Sequence, residues 1–71
     1  MNIRRLDIGR RIKARRRDRF ITQRHLAAKV GVTFVHLSHI ENGRAAPSLS
    51  LLCKIADELD ATLDDLAPRN C

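Results

Sequence analysis

The chain has 71 residues, 44% hydrophobic and 31% charged, enough for one compact domain with a core near the small end of what folds unaided. Its net charge of +6 is uneven: residues 1–25 hold ten Lys/Arg against Asp7 and Asp18, whereas residues 45–71 hold Lys54 and Arg69 against five carboxylates. Two cysteines without zinc or C-x-x-C spacing argue against a disulfide or metal scaffold, and no apolar run approaches a membrane span or secretory leader, so a reduced cytoplasmic setting is expected.

Apolar residues recur at helical spacing throughout and strand alternation is absent, which predicts an all-α fold of five short helices within a single domain, 1–71. Arg4 and Arg5 precede the helices as a short arm able to reach phosphate. The first helix runs from about Leu6 to Arg17, with Ile8 and Ile12 one turn apart on its inner face. Its remaining charges, Arg10, Arg11, Lys13, Arg15 and Arg17, form either a solvated face or a docking surface, and in both cases their field attracts a polyanion. Thr22 caps a second helix that ends at Val30, with Leu26, Ala27 and Val30 inward. Gly31 then supplies the left-handed conformation that ends a helix.

Thr33 caps a third helix reaching Asn42, with Leu37 and Ile40 inward, and Gly43 closes it. Pro47 and Ser48 open a fourth, striped by Leu52, Ile55, Ala56 and Leu59. Thr62 starts a last turn carrying Leu63 and Leu66, which either close the core or form a two-fold contact. Two helices with only Gly31 and Val32 between them must cross steeply, and small Ala27 lets them approach. That is a helix-turn-helix unit, about 22–43, whose second helix stands as a ridge of a size that a B-form major groove admits.

Helical phase also places two charges inward. Arg16 follows Ile8 and Ile12 at four-residue steps, and Glu41 follows Leu37 by four. An unpaired buried charge is costly, so each is expected to answer the other as a structural ion pair that orients the third helix, the alternative being two separate solvated side chains. His36 and His39 lie three residues apart, but no third ligand is placed beside them, so no metal is expected. Cys53, among Leu52 and Ile55, reads as a half-buried core residue, and Cys71 as a free terminal thiol. No catalytic arrangement is visible, so no enzyme and no cofactor is expected.

Gln23 with Leu26 and Ala27, then Gly31-Val32-Thr33, Ile40-Glu41-Asn42-Gly43 and Pro47-Ser48, resemble in order and spacing the phage repressor and Cro family, also called the xenobiotic-response-element regulators. The similarity runs from about Ile8 to Leu66. It implies a five-helix domain of the lambda repressor type that binds double-stranded DNA with a two-fold symmetric operator as a homodimer, in the cytoplasm of a prokaryote or as a phage product. By the same resemblance the third helix reads base edges through Phe34, Val35, Ser38 and His39. Gln23, Arg24, Thr33, His36, Asn42 and Arg44 meet the DNA backbone, and the pairing of Arg16 with Glu41 matches a buried ion pair of the family. The sequence departs from the family at Phe34 and Val35, where polar residues are usual. It departs again at Phe20 and Asp60, which replace turn glycines; Asp tolerates the left-handed region, whereas the turn at Phe20 is expected to find another conformation. A transcriptional repressor is the function implied. A protein partner, as for an antitoxin or adaptor of the same fold, is the alternative that exposed Phe34 and Val35 keep open, and a coactivator without sequence preference is a third.

Overall fold

A computed structural model describes residues 3–67, and within them the chain is all-helical: α1 (Ile3–Asp18), α2 (Gln23–Val30), α3 (Phe34–Glu41), α4 (Leu49–Glu58) and α5 (Leu63–Leu66). Cys71 lies outside the described residues, as does the Arg4 side chain.

Four of the five helices begin in one way. Thr22, Thr33, Ser48 and Thr62 stand in extended conformation, and each hydroxyl accepts the backbone N–H three residues on, at 3.1 Å. Each cap satisfies a donor that the first turn leaves orphaned. At Thr62 the arrangement is reciprocal, because the Asp65 carboxylate accepts the Thr62 backbone N–H at 3.0 Å. Hydrogen bonding to the carboxylate by Thr62, first from its backbone N–H and then from its side chain, holds Asp65 below the usual aspartate range, with a further contribution from nearby Arg15.

The turns are also of one kind. Phe20, Gly31, Gly43 and Asp60 all take positive φ, at 57, 79, 78 and 53°. After each, the next N–H reaches five residues back: Ile21 to Arg16, Val32 to Ala27, Arg44 to His39 and Ala61 to Ala56, at 2.8–3.1 Å. This is the Schellman closure of a helix C-terminus. Asp60 adopts it as its residue type allows. Phe20 corrects the sequence expectation, because the turn keeps the left-handed form without a glycine. The physical reason lies in its neighbours: Ile21 packs against the core, and its carbonyl accepts a hydrogen bond from Arg16 Nη1 at 2.7 Å, so the turn is fixed from both sides.

The core is the predicted one. Ile8, Ile12, Leu26, Ala27, Val30, Leu37, Ile40, Leu52, Ile55, Ala56, Leu59 and Leu66 are buried together, and α3 packs against both α1 and α2. Leu66 therefore belongs to the core, while Leu63 is partly exposed. The first helix begins a turn earlier than the sequence suggests, so Arg4 and Arg5 belong to α1 and do not form an arm. That first turn has support: Leu6 lies flush on Gly43, where any Cβ would meet the Leu6 Cδ1 at 2.9 Å.

Candidate nucleic-acid interface

Two contacts seat α3. On one side is Gly9 of α1, where an added Cβ would fall on the Ile40 carbonyl oxygen and 2.7 Å from that of Glu41. The absence of a side chain brings the α1 backbone directly against the C-terminal end of α3. An isolated glycine inside a helical pattern is the sequence signal for such an approach, and the phase of the apolar residues alone does not reveal it.

On the other side is an ionic network. Arg16 Nε donates to Glu41 Oε2 at 2.8 Å and Arg16 Nη2 to Glu41 Oε1 at 3.1 Å, a bidentate pair with both residues buried. Gln23 Nε2 donates to the same Oε1 at 2.9 Å. With the bond from Arg16 to the Ile21 carbonyl, one guanidinium ties the end of α1, the following turn and the last residue of α3. Helical phase singled out Arg16 and Glu41, and the structure brings them together. Gln23, at the first position of α2, adds the start of that helix to the same carboxylate.

With its inner face fixed, α3 turns the rest outward. Phe34, Val35, His36 and His39 are exposed and Ser38 is half-buried, while Leu37, Ile40 and Glu41 are buried. Thr33 caps the helix with its oxygen, which leaves the hydroxyl hydrogen available to an outside acceptor. At the other end, Asn42 and Arg44 follow the helix and are exposed. An α-helix with its side chains is about 10–12 Å across, which a B-form major groove about 12 Å wide admits. Polar and cationic groups therefore stand at both ends of a ridge of groove width.

Beside the start of α3 lies a shallow groove of about 520 Å³, lined by Lys13, Arg16, Arg17, Thr22, Gln23, Arg24 and Phe34. Every charge in that lining is positive. The Arg24 guanidinium carbon stands over the Phe34 ring, 4.5 Å from its centroid. No local sequence signal announces this stack, because it depends on the crossing of α2 and α3. His36 and His39 share no metal-type cluster among the described residues. Cys53 is half-buried and unbridged. No helix among the described residues is long and apolar enough to cross a membrane.

The profile of the helix-turn-helix family matches residues 12–66. The chain is 38% identical over 60 residues to the HTH-type transcriptional regulator YazB of Bacillus subtilis, covering 84% of this chain and 87% of that protein. It is 43% identical over 54 residues to the immunity repressor protein of Bacillus phage phi105, covering 76% of this chain but only 38% of the repressor. Among solved structures it resembles the P22 c2 repressor in complex with a synthetic operator, with a TM-score of 0.80 and 33% identity over 84% of this chain and 91% of that one.

Proposed function

The chain belongs to the helix-turn-helix family, and on that premise we propose that it is a DNA-binding transcriptional regulator, a repressor, which lays α3 in the major groove of its operator. The observation that carries this reading is the state of α3. Its inner face is locked by Gly9 and by the Arg16–Glu41–Gln23 network, and its outer face is left without protein cover. A ridge held so firmly and clothed so little is built to meet a complementary surface. The likeness to a repressor solved on its operator supports duplex DNA as that surface.

In this reading Val35, Ser38 and His39 approach base edges, while Gln23, Thr33, His36, Asn42 and Arg44 meet phosphates at either end of α3. Phosphate contacts set the register and base edges supply the sequence preference; no chemistry accompanies binding. The protein acts in the cytoplasm as a homodimer, on half-sites about 10 bp apart or a multiple of that. Leu66 belongs to the core, so the two-fold contact falls to Leu63 and to Leu49, which is 68% exposed on α4.

Val35 makes the reading specific. Its side chain is 55% exposed and cannot hydrogen-bond, and the apolar feature on a major-groove edge is the thymine methyl. Selection of bound duplexes from a random library should return a symmetric site with thymine opposite Val35. Replacing that thymine by uracil should weaken binding about fourfold, the value of one buried methyl group, and Val35→Ala should abolish the difference. A library that yields no preferred sequence would overturn the repressor reading. Indifference to uracil would remove Val35 from base readout.

A further inference from the structure

We propose that Phe34 is a positioning residue rather than a reader of bases: the face of its ring holds the Arg24 guanidinium in place for a DNA phosphate. The inference rests on the DNA-binding reading above and divides the work between the two apolar residues that open α3.

The arginines differ in how they are held. Arg11 faces Asp7 at 3.1 Å, Arg15 faces Asp65 at 3.4 Å, and Arg16 is bound by Glu41. Each of these has a carboxylate that offsets its charge. Arg24 forms no ion pair among the described residues and is held by the aromatic face alone. A ring quadrupole attracts the cation without neutralising it. A ring face takes up far less of the hydrogen-bonding capacity of a guanidinium than a carboxylate does, so N–H donors remain for phosphate oxygens, which the guanidinium fork matches. The side chain is thus ordered in advance while its full charge is kept, which lowers the conformational entropy given up when an anion arrives.

The surroundings favour the same ligand. Lys13 and Arg17 line the groove beside Arg24 and Gln23, no carboxylate lines it, and Arg16 is already neutralised by Glu41. Thr22 caps α2 at this point, so the positive end of that helix also faces the groove. A base edge presents neutral acceptors, whereas this lining is suited to a charged one. Phe34, for its part, is 38% exposed against 55% for Val35, and one face of its ring is already covered.

The test is titration of the full chain with a selected operator and with a random duplex, by fluorescence anisotropy from 50 to 200 mM salt. Phe34→Leu and Arg24→Gln should each weaken binding to both duplexes by about fivefold, leaving the ratio between them unchanged. The log–log salt slope should fall by about 0.9 for each phosphate that is no longer engaged. The double variant should be no weaker than Arg24→Gln alone, and Phe34→Trp should restore the affinity. Both side chains are exposed, so the melting temperature should not move. The proposal is overturned if Phe34→Leu shifts preference at a base pair with the salt slope intact, or if the two single effects multiply. Failure of the unaltered protein to bind any duplex would sink the DNA-binding reading as well, which separates the two.

Discussion

Phe20 holds a left-handed backbone at φ 57° with its side chain 94% exposed, so its ring contributes almost nothing to packing while its Cβ is strained. Left-handed geometry costs an L-residue roughly 1–2 kcal/mol, and glycine removes that strain at the expense of some unfolded-state entropy. Phe20→Gly should therefore stabilise the fold by about 0.5–1 kcal/mol, read as a rise in the denaturation midpoint; a fall would mean that the ring is held by contacts. Glu41 is the opposite case. It is 3% exposed and receives three hydrogen bonds from Arg16 and Gln23. Glu41→Ala strands the buried Arg16 guanidinium and should cost about 3 kcal/mol in chemical denaturation. Arg16→Met combined with Glu41→Leu should recover most of that loss, because an apolar pair replaces the charges without leaving one behind. A negligible effect of Glu41→Ala would show that the carboxylate reaches water.

Elements were legible to the extent that their signals are local. Thr22, Thr33, Ser48 and Thr62 mark helix starts by their own side chains, and Gly31, Gly43 and Asp60 mark ends by their tolerance of positive φ. Inward phase was equally plain, since Ile8, Ile12 and Arg16 advance by four residues and share a face. What escaped depends on distant partners. The first turn of α1 exists because Leu6 lies on Gly43, far along the chain. Phe20 stays left-handed because Arg16 and the core hold Ile21, and the Arg24–Phe34 stack follows from how two helices cross. Gly9 belongs to this second group, and it sets the distance between α1 and α3. Gly9→Ala gains about 1 kcal/mol of helix propensity but drives a methyl into two backbone carbonyls that cannot swing aside. The net effect should be a loss of about 2 kcal/mol, near 10 °C in melting temperature for a domain of this size. An unchanged melting temperature would mean that the two helices separate freely.

Across the whole molecule the charge is polarised, with net +8 over residues 1–25 and net −3 over residues 45–71. Part of the positive share, Lys13, Arg17 and Arg24, lines the groove beside the start of α3, and Arg44 adds a cation beyond the end of that helix. For the proposed dimer, several phosphates engaged per protomer should make affinity for duplex DNA fall with salt at a log–log slope of roughly −5 to −8. A slope shallower than about −2 would count against docking on the phosphate backbone. The division of α3 into a buried and a bare side carries a further consequence for how such proteins diversify. Leu37, Ile40 and Glu41 maintain the fold, whereas exposed Val35, His36 and His39 bear little of it. Substitutions on the bare side leave the core intact and change stability by no more than about 0.5 kcal/mol. A duplicated copy can therefore drift toward a different target by a handful of exchanges in one helix, with no intermediate that fails to fold.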